Sequence, residues 1–89
     1  MKLNKNFVLR EIAGNHVILP WGAATVDLNG MLKINSTGAF LWNTLEKGSD
    51  IEGLVDALVT EYEIDRELAN SDVRAFVERL KEFGCIEEN

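Results

Sequence analysis

NGMLKINSTGAFLW, Asn29 to Trp42, carries a turn, a short strand and the start of a helix in one stretch. Asn-Gly between apolar alternations is a strong hairpin signal, because both residues tolerate positive φ. The letters that follow, Met31-Leu32-Lys33-Ile34, turn Leu32 and Ile34 to one side of a sheet and Met31 and Lys33 to the other. Asn35 or Ser36 then caps a helix from about Ser36 to Lys47, and Gly48 stops it. Phe40, Leu41 and Leu45 share one face of that helix, while Trp42 projects well away from it. The helix is therefore buried on more than one side, or Trp42 sits at an interface.

Towards the N-terminus the sequence reads as strands. Phe7-Val8-Leu9-Arg10-Glu11-Ile12 is rich in β-formers, Ala13-Gly14-Asn15 is a turn signal, and His16-Val17-Ile18-Leu19-Pro20 is a second strand ended by proline. These two form a hairpin. Thr25-Val26-Asp27-Leu28 is a short further segment on the other side of Asn29-Gly30. Towards the C-terminus two more helices follow. Ser49-Asp50-Ile51-Glu52 reads as a capping box. Ile51, Leu54, Val55, Leu58, Val59 and Tyr62 then repeat at the spacing of an amphipathic helix. The last helix starts after Asp65 and ends at Gly84, with Ala69, Val73, Phe76, Leu80 and Phe83 as its apolar stripe. Cys85 and Ile86 are expected to fold back on the core. The whole is an α+β, winged helix-turn-helix-like arrangement: a three-stranded antiparallel sheet followed by three helices, as one domain over residues 1–89.

The chain is 89 residues long, 46% hydrophobic and 27% charged, so its core is thin and it has no room for a large enclosed active site. Its charge is divided unevenly. Residues 1–45 sum to +2 and residues 46–89 to −8, within a net charge of −6. The acidic helical half repels phosphate backbones and anionic lipid. There is no apolar run of signal-peptide or membrane-span length, and a cytoplasmic location is expected. Cys85 is the only cysteine, which excludes an internal disulfide.

Catalysis finds little support. His16 in a strand and Cys85 at a helix end belong to no motif, and a strand histidine and a small buried thiol are the commoner readings. Neither a metal-ligand spacing nor a glycine-rich phosphate loop is present, and no cofactor is implied. A winged helix raises the alternative of a DNA-binding transcriptional regulator. The last helix would then enter the groove. It sets Arg66, Arg74, Arg79 and Lys81 against Glu67, Asp72, Glu78 and Glu82, and the helix before it has no Lys or Arg at all. Without phosphate neutralisation the DNA reading ranks second. What remains is the strand at 31–34. As an edge it carries one charged residue, Lys33, against pairing, and a peptide can add a strand there. An open edge also permits a homodimer.

Three stretches carry a likeness: Phe7-Val8-Leu9-Arg10-Glu11-Ile12-Ala13-Gly14; Leu32-Lys33-Ile34-Asn35-Ser36-Thr37-Gly38 followed by Phe40-x-Trp42; and Asp72-Val73-x-x-Phe76-Val77-x-x-Leu80-x-x-x-Gly84-x-Ile86. In order and spacing they resemble the PqqD family, the small proteins named for pyrroloquinoline quinone biosynthesis. The resemblance implies a non-catalytic module that binds the leader segment of a ribosomally made precursor peptide. It would present that peptide to a modifying enzyme, such as a radical S-adenosylmethionine maturase, a cyclase or a protease. It also implies where the peptide lies. Met31, Leu32, Lys33 and Ile34 form the strand side of a groove, and Asp72, Phe76, Arg79, Leu80 and Phe83 are the candidates on the helix side. Asp72, Arg79 and Phe83 follow one flank of the apolar stripe. Nucleic acid and membrane are not expected partners.

The acidic balance makes a direct prediction. In a gel-shift titration at low salt, random-sequence duplex DNA is expected to migrate unchanged; a salt-sensitive shift would restore the regulator reading.

Overall fold

The computed structural model describes residues 1–21 and 31–87. The expected segment at 25–28 and the Asn29-Gly30 turn lie outside the described residues. The elements run β1 (Lys2–Leu3), β2 (Phe7–Ile12), β3 (Asn15–Pro20), β4 (Leu32–Ile34), α1 (Ser36–Glu46), α2 (Ile51–Tyr62), α3 (Arg66–Phe83) and β5 (Ile86–Glu87). The antiparallel sheet has the order β2-β3-β4, and the three helices follow it in the chain. A second, two-stranded sheet pairs β1 with β5, Lys2 opposite Glu87 and Leu3 opposite Ile86. The sequence reading did not contain it.

The β2–β3 turn is two residues long, with Ile12 paired to Asn15. Ala13 and Gly14 sit at φ 52° and 80°, the left-handed pair of a type I′ turn. Such a turn makes Ile12 and Asn15 a hydrogen-bonded pair, and pairs alternate from there along the ladder. The alternation makes Asn6 and Trp21 another bonded position, and the Trp21 amide does donate to the Asn6 carbonyl at 2.6 Å. It also puts Phe7 opposite Pro20 in a pair that exchanges no bonds. The missing proline donor therefore costs β2–β3 nothing, and β3 ends at Pro20 as the sequence reading had it.

Residues opposite one another share a face of the sheet. Leu9, Ile18 and Leu32 align, as do Glu11, His16 and Ile34, and this is the face that meets the helices. Ile18 and Ile34 enter the core with Leu41, Trp42 and Leu45 of α1, Leu54, Val55 and Leu58 of α2, and Ala69, Val73, Phe76, Val77 and Leu80 of α3. The opposite face carries Val8, Arg10, Ile12, Val17, Leu19 and Lys33. There the Arg10 guanidinium lies 5.6 Å from the centre of the exposed Trp21 ring.

Trp42 is buried, which answers the question of where it goes: α1 is enclosed on more than one side. Its Nε1 is buried without a hydrogen-bond acceptor among the described residues. Half-buried Phe40 packs against the edge of the core and meets Tyr62 of α2 edge-on, with ring centres 5.6 Å apart. Asn35 caps α1 by accepting from the Gly38 amide at 2.8 Å. At α2 the cap is Asp50, which accepts from Gly53 N at 2.8 Å, while Ser49 Oγ donates to the Asp50 carbonyl. The expected Ser49–Glu52 capping box therefore does not form. A carboxylate beside the positive end of the helix dipole is the stronger acceptor. Glu52 turns instead to Arg66 of α3, which also pairs with Asp56 at 2.8 Å.

Gly84 ends α3 at φ 87°, and its amide returns to the Lys81 carbonyl. The turn sends Cys85 and Ile86 into the core, as expected. Asn4 ties the two ends of the chain together. Its amide donates to the Cys85 carbonyl at 2.7 Å and its Nδ2 to the Gly84 carbonyl at 3.3 Å. Burial pushes the Cys85 thiol up to about 11, so it stays protonated at ordinary pH.

Two outcomes follow from this core. Trp42→Ala is expected to lower the unfolding free energy in urea by about 3–5 kcal/mol. Trp42→Phe should cost well under half of that, because it keeps a ring in place and removes a buried donor with no acceptor. Cys85 should resist Ellman's reagent at pH 8 in the folded protein and react at once in guanidinium; rapid labelling of the folded form would contradict its burial.

Candidate functional site

The ladder alternation decides which way β4 presents its backbone. Val17 and Lys33 face each other between the pairs His16–Ile34 and Ile18–Leu32. On β3, Asn15, Val17 and Leu19 bond towards β2, so His16 and Ile18 bond towards β4. Ile34 and Leu32 therefore spend their peptide groups on β3, and the N–H and C=O of Lys33 point away from the sheet. Among the described residues no strand lies on that side of β4. Arg79 of α3 reaches it from below, with Nη2 3.4 Å from the Lys33 carbonyl oxygen, at the long end for a hydrogen bond.

Two adjoining hollows flank this edge. One, of about 260 Å³, lies between the start of α1 and the middle of α3, lined by Asn35, Thr37, Gly38, Leu41, Asp72, Ala75, Phe76 and Arg79. The other, of about 590 Å³, lies at the end of β4, where His16, Lys33, Ile34, Asn35 and Arg79 contribute. Asn35 and Arg79 belong to both, so the two form one trough beneath the free edge. Gly38 is required at its floor. A Cβ there would lie 3.2 Å from both Ile34 Cβ and Phe76 Cε1, tighter than ordinary contacts. On the outer face of the sheet a third, mostly apolar hollow of about 380 Å³ opens beside the same edge, lined by Ile12, Ala13, Asn15, Val17, Met31 and Lys33.

The structure brings together five of the nine residues singled out in the sequence. Lys33, Ile34, Asp72, Phe76 and Arg79 meet at the trough. Met31 lies at the outer hollow, just before the strand. Leu32 is half-buried on the helix-facing side and packs against the core. Leu80 is fully buried, and Phe83 meets Phe7 of β2, which stands at the opposite end of the strand order from β4, with ring centres 5.6 Å apart and the planes tilted at 58°. Neither Leu80 nor Phe83 lines the trough. Asn35, Thr37, Gly38 and Ala75 line it without having been singled out. Their signal was present in part: Asp72, Ala75, Phe76 and Arg79 follow the i, i+3, i+4, i+7 spacing of one helix stripe.

The trough offers an open backbone edge, a guanidinium and a shaped wall. Among the described residues no cluster of His, Cys, Asp or Glu is placed to hold a metal ion, and no helix is long and apolar enough to cross a membrane. His16 and Cys85 do not form a catalytic pair: Cys85 is sealed in the core, while His16 is at the edge hollow.

Comparison with known proteins agrees with this arrangement. Among solved structures, the chain is similar to the one described as TbiB1 in complex with the TbiA(beta) leader peptide, with a TM-score of 0.77 and 28% identity over 100% of this chain and 98% of that one. It shares its fold with a lasso peptide synthetase B1 complexed with its leader peptide, at a TM-score of 0.74 and 24% identity over 98% of this chain and 96% of the other. A comparison with curated proteins finds no match. The family model of coenzyme PQQ synthesis protein D matches residues 15–86, from the start of β3 to β5, and the chain belongs to the PqqD family.

Proposed function

We propose that this protein binds the leader segment of a ribosomally made precursor peptide as an added strand along β4 and delivers it to a modifying enzyme. The observation that carries the reading is the outward-facing peptide group of Lys33 above a trough walled by α3. A strand edge supplies main-chain hydrogen bonds without regard to sequence, and flanking hollows supply the selection. The support from relatives is direct in kind: TbiB1, 28% identical, was solved with a leader peptide bound. The module has no catalytic part in this reading. Its service is to raise the local concentration of peptide at an enzyme, a radical S-adenosylmethionine maturase among the candidates.

The affinity should be moderate. β4 is three residues long, so few ladder bonds form, each contributing about 1 kcal/mol. Two hollows give room for only a few anchoring side chains. Micromolar binding, about 8 kcal/mol, fits that scale and lets the modified product leave.

Lys33→Pro tests the edge. The substitution removes an outward N–H and no β3–β4 bond, so the sheet should survive. With fluorescein-labelled peptides encoded by short reading frames beside this gene, anisotropy is expected to give binding that weakens about tenfold or more in the variant. Circular dichroism should stay unchanged. Equal affinity in a folded Lys33→Pro protein would remove β4 as the docking strand.

A further inference from the structure

We infer that the peptide strand accepted at β4 carries an acidic side chain, Asp or Glu, directed to Arg79, and that this charge is a determinant of which peptides bind. The inference rests on the strand-addition reading above and adds the chemistry of one position.

Four observations carry it. Arg79 lines both halves of the trough, so any strand laid along β4 passes over its guanidinium. Its observed partner is a neutral one, the Lys33 carbonyl, held at 3.4 Å. That oxygen is also the acceptor an incoming ladder N–H needs, and its two lone pairs let it take both, so the guanidinium stays beside a docked strand. Both ion pairs described in the structure belong to Arg66, on the far stretch of α3. Asp72 shares the hollow with Arg79, two turns away along α3, without an ion pair to it. Lys33 stands at the same edge, and the end hollow contains no acidic residue among its lining side chains. A chain of net charge −6 thus presents cations along one strand edge.

The geometry favours a carboxylate over other partners. With one donor on the Lys33 oxygen, the guanidinium keeps the rest of its planar fork of donors beside the new strand. A carboxylate satisfies that fork with two parallel hydrogen bonds, whereas an amide or hydroxyl satisfies it singly and without charge. The side chains that face α3 are the alternate residues of the added strand. The acidic residue paired to Arg79 therefore falls at one fixed position, and a shift by one residue turns it to the outer hollow, where Lys33 offers a single ammonium in place of the guanidinium fork.

The test is selection of a random dodecapeptide display library on the immobilised full chain, run in parallel on Arg79→Gln and Arg79→Glu. Arg79 is exposed, so both variants should fold, with circular dichroism as the control. Peptides recovered on the wild-type chain are expected to share Asp or Glu at one position, the Arg79→Gln pool to lose that preference, and the Arg79→Glu pool to prefer Lys or Arg there. For a synthetic peptide from the wild-type pool, changing the acid to its amide should weaken binding about 3- to 10-fold to wild type and leave Arg79→Gln unaffected. A brace role for Arg79 would instead weaken all peptides alike in both variants. Identical acid content in the three pools overturns the inference, while loss of binding to Lys33→Pro in that same case keeps strand addition. Failure of the wild-type chain to enrich any peptide overturns both.

Discussion

Ala13 and Gly14, at φ 52° and 80°, decide the direction of every peptide group in the main sheet. A two-residue turn of this hand makes its flanking pair hydrogen-bonded, and the alternation then runs through β3 to β4 without further choice. It ends with Lys33 turned outward and with Leu32 and Ile34 committed to β3. An alanine in the left-handed region is strained by about 1–2 kcal/mol, and the structure accepts it here. A one-residue slip would exchange Ile18 and Ile34 for Val17 and Lys33 on the core side, so burial and turn geometry select the same register. The outward direction of β4's free edge is thus a consequence of the β2–β3 turn.

What keeps that edge in place is the helix that leaves it. Only Asn35 separates β4 from α1, and its side chain caps the helix. Gly38 then lets α1 pass within a methyl group's reach of Ile34 and Phe76. Strand, helix start and α3 meet at one point, and that point is the floor of the trough. The termini are secured separately, by the β1–β5 pair and by Asn4. The mobile freedom of a short edge strand is thereby removed before a partner arrives, which lowers the ordering entropy that binding has to overcome.

The helices were legible because their signals are local. Spacing gave the buried stripes of α2 and α3, and Gly48 and Gly84 marked stops. Asp50 displaced Ser49 as a cap because two adjacent residues can both serve, and the choice depends on where the chain enters the helix. β1 and β5 were illegible for a physical reason: a two-residue strand has no period, and its partner lies at the other end of the chain. The lining of the trough was legible in part. Asp72, Phe76 and Arg79 of α3 meet there, whereas Leu80 and Phe83 sit on the same stripe and turn to the core and to Phe7. A helical stripe says which residues face inward together; it does not say where along the helix the sheet ends and the open trough begins. Lys33's outward peptide group needed the register, a relation between β2, β3 and β4 that no single segment contains.

An unpaired strand edge is a hazard as well as a site, since it pairs with any other edge it meets, including its own copy. Here the edge carries Lys33 on the strand and Arg79 beneath it. Lys33 is the middle residue of β4, so two copies joined edge to edge about a two-fold axis would bring both pairs of cations together. Like charges directly opposite are destabilising in a sheet, and no carboxylate lines the end hollow to relieve them. In the strand-addition proposal one of these charges, Arg79, also favours an acidic peptide strand. The cationic edge then works against the homodimer that an open edge permits and, on that proposal, for a partner of opposite sign.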